Sequence, residues 1–528
     1  MNNHILMYCV AGGKTMCRRG IALVAVAALM AGCSLEPKYE RPDAPVAPTY
    51  PTGDAYQSPA GESGSTTMPA VDIGWRNFLA DPRLQQLVKI ALANNRDLRV
   101  AALNVAQMQA QYRIQRSALF PEIDGVAGSS SSRTPASISP SGQTTTTHDY
   151  SVGVSAAWEL DFFGRLRSLD DAALQQYFAT AQARKAFEIL LVSEVADQYL
   201  TLLAFDDLLK VTQQTLESAE ASYKLTLLQF QIGTGDELSV EQSATVVEQA
   251  KANAAAQLRG RAQAENALVL LIGQPLPADL PPVVPLSAQK ILADIPADLP
   301  SDLLTRRPDI MQAEATLQSA NANIGAARAA FFPTISLTGS LGTASSALSG
   351  LFGAGSLAWS FLPSITLPIF EGGKLKANLD VATLQNDIDI AQYEKAIETA
   401  FREVADGLAA RGTYDDEVAS LERFTAAQQR ALDLSEMRFR GGVDNYLTVL
   451  TAQTGLYGAQ MTLVSARLAR LTNLVDLYRT LGGGWIEHTG DTPRRAEDVG
   501  SISPAAGTAP WDPFKTAQRE TPAPTNSQ

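Results

Sequence analysis

The chain has 528 residues, 45% of them hydrophobic, and a formal charge of −13. That acidic balance excludes nucleic acid as a partner, because neutralising phosphates needs a basic face. Its three cysteines (Cys9, Cys17 and Cys33) sit near the start, so the body of the chain has no disulfide and no thiolate metal site. His4, His148 and His488 are far apart, which argues against a histidine-based metal or catalytic centre.

The first segment, 1–32, reads as a targeting signal. Lys14, Arg18 and Arg19 precede a short apolar run, Ile21 to Met30, that ends in Ala31-Gly32-Cys33. The run is too short to span a bilayer comfortably, which weakens the alternative of a retained anchor. The Ala-Gly-Cys junction resembles a bacterial lipoprotein signal. That resemblance implies a lipid on Cys33 as the first mature residue, and Ser34 after it implies sorting to an outer membrane. Apart from that covalent lipid, no cofactor is expected. Residues 33–82 then read as an extended N-terminal segment, with seven prolines between 34 and 72.

The middle of the chain is a repeat. Phe120-Pro121 recurs as Phe332-Pro333, and Asp97-Leu98 as Asp309-Ile310, both at an offset of 212. Glu194-Val195-Ala196-Asp197 recurs as Glu403-Val404-Ala405-Asp406 at 209, as do Phe230 and Gly233 in Phe439 and Gly442. The halves run 83–273 and 301–482, joined by a linker at 274–300. Each reads as helix, two strands, long helix, turn, helix.

Val152, Val154, Ala156, Trp158 and Leu160 alternate with smaller or polar residues. Ile335, Leu337, Gly339 and Leu341 do the same. This period marks strands with one apolar and one wet face. Ile123 to Arg133 is a strand by symmetry. Residues 334–370 carry no charged side chain, and Tyr150, Trp158, Trp359 and Phe361 are spaced like the aromatic girdles of membrane barrels. Two strands per half make four per chain, too few to close a barrel, and open edges are not tolerated in lipid. Several chains must share one. Two would give eight strands and a filled interior; three would give twelve and room for a conduit.

From Arg165 to Gln231 there is neither proline nor glycine. A helix of that length spans on the order of 100 Å. Val195, Leu202, Leu209, Leu216, Tyr223 and Phe230 fall at sevens, the spacing of a coiled-coil seam. Asp206, Gln213 and Glu220 form a more polar seam, read either as an exposed face or as a tunnel wall. The second half repeats the long helix from Gly373 to Arg440. Partner helices are expected at 236–271 and 444–481. Helix reversals fall at Gly233-Thr234-Gly235 and Gly441-Gly442, where glycine supplies backbone freedom, both at the end distal from the strands. Residues 483–528, with six prolines from 486 onward, read as a disordered tail.

No enzyme motif survives inspection. Gly12-Gly13-Lys14-Thr15 looks like the end of a phosphate loop, but Tyr8 stands where its first glycine belongs. Other stretches carry a resemblance. Arg306-Arg307-Pro308-Asp309-Ile310 and Ala326-Ala327-Arg328-Ala329-Ala330-Phe331-Phe332-Pro333 resemble the signature of outer-membrane efflux factors. So do Trp158 to Arg165, Leu367 to Gly373, Arg438 to Leu450 and Gly482-Gly483-Gly484-Trp485. By these, the chain is similar over residues 33–485 to the TolC family, in its lipidated OprM-like branch. The resemblance implies an α+β membrane channel: a homotrimer with a twelve-stranded β-barrel in the outer-membrane lipid and a helical periplasmic tunnel. It implies docking on a periplasmic adaptor and an inner-membrane resistance-nodulation-division transporter, and passive export of drugs.

The same resemblance places a gate at the tip. Leu447 matches the apolar constriction residue, beside Tyr446. One turn on, where relatives carry an aspartate, this chain has Thr451. Asp236, Glu237 and Glu241 could supply acidic charge instead, or be helix N-terminal carboxylates favoured by the dipole. Arg440 is expected to pair with Asp444 or with carboxylates of a neighbouring tip. Gly233, Gly235, Gly441 and Gly442 mark the turns on which the adaptor would dock.

Overall fold

The computed structural model describes residues 34–56, 68–292 and 306–491. Cys33 and the signal segment lie outside the described residues, as do 57–67, 293–305 at the end of the linker and start of the second half, and the chain from 492 onward. A short helix, α1 (Trp75–Phe78), is followed by α2 (Pro82–Asn94) and α3 (Arg96–Ser117). Then come β1 (Glu122–Thr134), β2 (Thr145–Leu160), α4 (Arg165–Gln231) and α5 (Glu237–Ile272). The second half contributes α6 (Pro308–Ala329), β3 (Thr334–Ser345), β4 (Leu357–Thr366), α7 (Lys374–Arg440) and α8 (Tyr446–Thr480). Both long helices have 67 residues, and each starts after a left-handed glycine, Gly164 at φ 76° and Gly373 at φ 91°.

The four strands form one antiparallel sheet in chain order. Residues directly opposite each other share a face. The register sets Val154 opposite Leu341, Trp158 opposite Leu337, Leu341 opposite Trp359 and Gly339 opposite Phe361. All the alternating apolar residues therefore lie on one side. The other side carries Ser155, Ser340 and Ser360 in a row, with the Ser340 and Ser360 hydroxyls 2.8 Å apart. Trp359, Phe361 and Ile365 on the apolar face are more than half exposed. A water-soluble sheet would cover them; a lipid-facing one does not need to.

The helices pack side by side. α4 packs against α3, α5, α6 and α8, while α7 packs against α6 and α8. The layer thus runs from α3 and α5, through α4, to α6 and α8, and ends at α7. Among the described residues, neither outer edge meets another long helix, although Tyr50 of the N-terminal segment stacks on Phe401 of α7, and the outer strands β1 and β4 have no strand partner. The main core lies where the helices of both halves meet, around Val195, Tyr199, Leu200, Tyr393, Ile397, Val404, Leu477 and Tyr478. Phe78 stacks on Tyr478 at 3.9 Å. Among the described residues, no helix is long and apolar enough to cross a membrane.

Three expectations need correction. Only Val195 and Leu202 of the heptad seam are buried; Leu209, Leu216 and Tyr223 are half-buried and Phe230 is exposed. Nearer the tip the buried positions are Thr212, Ala219 and Thr226. Small side chains there let helices approach closely, and their hydroxyls find partners: Thr226 with Ser243 at 2.8 Å and Thr212 with Tyr457 at 3.2 Å. Asp206 of the polar seam is held by Arg261 at 2.6 Å, an inter-helix pair that the second half repeats as Asp415 with Arg470. Residues 483–491 are not a free tail: Ile486 is buried, its carbonyl accepts from the Trp75 N–H, and Glu487 pairs with Arg76.

The N-terminal segment is likewise docked rather than loose. The Asn321 amide donates to the Pro37 carbonyl at 2.8 Å, and Arg41 makes a two-pronged pair with Glu314 at 2.8 and 2.9 Å. A Cβ on Gly325 would sit 2.8 Å from the Glu36 Cα, so only glycine admits this close passage.

Arg307 joins α6 to both neighbours. Its side chain is 7% exposed and donates to the Thr480 carbonyl, Asp309 and Glu403 at 3.0, 2.6 and 3.0 Å. In the first half Asn95 makes the matching bond, to the Leu271 carbonyl at 2.9 Å. Arg307→Met should destabilise the folded chain by about 3 kcal/mol, at the low end for a broken buried pair because both carboxylates keep some solvent. Thermal unfolding of the detergent-purified protein measures this, and an unchanged midpoint would contradict the network.

Candidate functional site at the helical tip

The two long helices end in the same backbone motif. After α4, the Gly233 N–H donates to the Phe230 carbonyl and the Thr234 N–H to the Gln229 carbonyl; Gly233 has φ 77°. After α7, the Gly442 N–H donates to the Phe439 carbonyl and the Val443 N–H to the Arg438 carbonyl; Gly442 has φ 71°. A left-handed glycine closes a helix in this way. Gly235 and Gly441 were grouped with them by sequence, but neither has positive φ. The return helices start with repeat-equivalent caps, Asp236 accepting from the Ser239 N–H at 2.8 Å and Asn445 from the Thr448 N–H at 3.3 Å.

At the first tip the carboxylate of Asp236 serves as a helix cap. The Asp236 carboxylate also accepts from the Ser239 hydroxyl at 2.9 Å. The Ser239 backbone N–H, then its hydroxyl, hold the Asp236 carboxyl below the usual carboxylate range. It is an N-terminal cap. Glu237 and Glu241 are exposed beside it.

The second tip departs from expectation in its charges. Asp444 is paired with Arg438, at 2.6 and 2.9 Å, and not with Arg440. Arg440 turns instead to Glu436 on its own helix, at 2.8 Å. The reason is angular: two residues apart on a helix, positions 438 and 440 point nearly opposite ways. The reversal at Gly442 brings residue 444 back over the side that carries 438. The pairing with Arg438 holds the Asp444 carboxyl below its ordinary value. The first tip has no counterpart, since Gln229 and Gly235 occupy the equivalent positions.

Tyr446 does not line an opening. It is 4% exposed, packs edge-on against Phe439 at 5.5 Å, and forms a small tip core with Leu432, Val449 and Leu456. Leu447 points away from this core and is half exposed. Thr451, one turn on, is exposed and donates its hydroxyl to the Leu447 carbonyl at 2.8 Å. Sequence reasoning missed Leu238. It is the repeat equivalent of Leu447 at the same offset of 209, and it is also exposed. Each tip therefore presents one leucine on the first turn of its return helix.

The sheet, long helices and tips can be compared with known proteins. The family model for outer membrane efflux proteins matches residues 87–274 and 299–483. The toluene efflux pump outer membrane protein TtgC of Pseudomonas putida is 48% identical over 478 residues, covering 90% of this chain and 98% of the relative. The outer membrane protein OprJ of Pseudomonas aeruginosa is 43% identical over 469 residues, covering 89% of this chain and 96% of OprJ. The open state of the Neisseria gonorrhoeae MtrE outer membrane channel superposes with a TM-score of 0.78 at 41% identity. That alignment covers 87% of this chain and all of MtrE.

Proposed function

This chain belongs to the outer membrane efflux protein family, and from that premise we propose that it is the exit duct of a tripartite multidrug efflux system. It passively conducts what an inner-membrane pump and a periplasmic adaptor deliver, across the periplasm and the outer membrane. The names of the relatives, efflux pump outer membrane proteins and an outer membrane channel, support this reading. One observation carries it: a lipid-suited sheet of four strands continues directly into helices of 67 residues, and among the described residues neither outer strand of the sheet is paired. Three copies closing edge to edge give twelve strands over a helical tunnel, a head-to-tail ring of the kind that closes on itself. The pump is of the resistance-nodulation-division type, and the adaptor meets the tips around Gly233 and Gly442.

Deleting the gene should sensitise the cell to several chemically unrelated toxic compounds, with resistance restored by a plasmid copy. A broad panel of such compounds tests this, and an unchanged profile would contradict the export role.

The lipid on Cys33 suits the docked N-terminal segment. Pro37 lies beside Asn321 and Leu35 beside Arg328, so the chain runs toward the sheet end of α6 as it nears residue 33. Cys33→Ser should abolish acyl labelling of the mature protein; labelling that persists refutes the anchor.

Leu447 and Leu238 form the apolar plug of the resting tip, and the Arg438–Asp444 pair clamps the turn that presents Leu447. Leu447→Ala combined with Arg438→Ala should raise single-channel conductance in planar bilayers, while Leu341→Ala in the sheet should not. The clamp has a defined pH dependence. Because the Asp444 pKa is lowered, the pair is complete above the ordinary carboxylate pKa near 4 and is lost only as pH falls through the lowered value. Resting conductance should therefore be flat from pH 8 to about pH 5 and rise only in stronger acid. A double variant that conducts like the wild type places the gate elsewhere.

A further inference from the structure

Charge in the sheet is sorted by face. Of the residues in the four strands, only Arg133 and His148 are basic, and the carboxylates are Glu122, Asp124, Asp149 and Glu159. The register places each of them. Arg133 lies opposite Thr146 and Ser131 opposite His148, which sets both basic side chains on the face of Ile123, Val154 and Ala156. Glu122, Asp124 and Asp149 lie opposite Ala157, Ser155 and Ser130, and Glu159 lies opposite Ser336, all on the other face. The apolar, lipid-suited face therefore carries two basic groups and no acid. On such a face a charge is strongly destabilising at mid-depth and nearly neutral at the interfaces, so depth decides what these groups meet.

Both stand at one level. The sheet continues into helices at its Glu122 and Leu160 end, and the turn at 135–144 lies at the opposite end. The Trp158 indole N–H donates to the Leu119 carbonyl at 3.1 Å and marks the helix end of the apolar face. His148 is ten residues from Trp158 along β2, and Arg133 is ten from Ile123 along β1. Ten residues at about 3.4 Å each, tilted by roughly 40°, rise about 26 Å, which matches the height of the apolar band of a membrane barrel. Tyr150 and its repeat equivalent Trp359, at the offset of 209, form an aromatic level near that height. Arg133 and His148 lie just beyond it, where lipid headgroups begin.

We infer that Arg133 and His148 hold the phosphate of an anionic lipid in the outer leaflet, one such site on each copy of the chain. This rests on the channel reading above, which puts the far end of the sheet at the outer surface of the membrane. Arg133 brings a guanidinium fork suited to phosphate oxygens. It is exposed, and among the described residues it has no ion-pair partner. The Ser131 hydroxyl lies 2.7 Å from Nδ1 of His148. When it donates there, Nε2 carries the ring proton and is a donor as well. Thr146 adds a hydroxyl directly opposite Arg133. Diagonal neighbours on one face are about 7–8 Å apart, a gap that one phosphate bridges when one of the side chains is as long as arginine. Asp149 adjoins His148 in sequence but belongs to the other face, and the turn at 135–144 carries no charged side chain, so no carboxylate there competes for the cations.

The second hairpin lacks the site. Ser345 and Leu357 occupy the positions equivalent to Arg133 and His148, at offsets of 212 and 209. The basic pair is thus a local feature of one hairpin and not a general property of the rim. The second hairpin also names substitutions that a strand of this sheet already accepts.

Native mass spectrometry of the full-length protein in detergent tests the site. The probes are lipid A, a phosphorylated glycolipid, and lipid A stripped of its phosphates. Wild-type oligomers should retain the phosphorylated form several-fold more than the stripped one. Arg133→Ser with His148→Leu should remove that preference, while Lys376→Ala, near the start of α7 at the other end of the sheet, should keep it. Arg133→Gln, which keeps the size and lacks the charge, should lower the preference even where the double variant does not assemble. A preference absent from the wild type, or one that survives loss of both basic groups, overturns the site. Excess inorganic phosphate should not displace the lipid; displacement would make this a free-anion site and overturn the lipid assignment. Single-channel conductance of the same samples separates two levels of failure. Oligomers that conduct without a lipid preference overturn the site alone, and a protein that does not conduct in planar bilayers overturns the reading beneath it.

Discussion

Backbone N–H and C=O groups in lipid must pair, and this chain cannot pair its own. Among the described residues its sheet has four strands, with β1 and β4 open, and an apolar face that includes Trp359, Phe361 and Ile365. In water such edges could be solvated; in hydrocarbon they cannot. Much of the remaining design follows from that deficit. The two halves supply matching hairpins, so one kind of seam can serve inside the chain and between chains. The long helices start directly at the sheet, so closing the strands also closes the helical layer.

The tips show where symmetry ends. Both helix reversals share their hydrogen bonds and a left-handed glycine, and both present a leucine. Among the described residues only the second carries an ion pair across its turn, Arg438 with Asp444. That pair is exposed, and exposed pairs hold weakly and yield to salt. Weakness suits a contact that an arriving partner has to break. The region around the main core is built the other way. Arg307 is buried among Asp309, Glu403 and the Thr480 carbonyl, which ties α6 to α7 and α8 within the second half, and Phe78 of the N-terminal segment stacks on Tyr478.

Much of the fold was legible in the sequence because its signals are long. Period-two alternation located β2 and β3, the repeat located β1, and the absence of proline and glycine between Arg165 and Gln231 marked a helix whose observed ends match. What escaped was set by packing. The heptad from Leu209 to Phe230 looked like the seam, yet Thr212, Ala219 and Thr226 are buried, since a close helix contact selects small residues over apolar ones. Arg440 looked as near to Asp444 as Arg438 does; only the direction of the side chains separates them. Proline content suggested loose ends, but the Pro37 carbonyl accepts from the Asn321 side chain and the Ile486 carbonyl from the Trp75 N–H, contacts that composition does not reveal. Leu238 was within reach, since applying the repeat offset to Leu447 finds it.

The most direct measurement is electron microscopy of the full-length protein purified in detergent. Pairing of lipid-exposed edges predicts three copies around a single continuous lumen, with the sheet edges of neighbours joined and the helical layers closed below them. A folded single chain with β1 and β4 both unpaired, or an assembly without a continuous lumen, would contradict it.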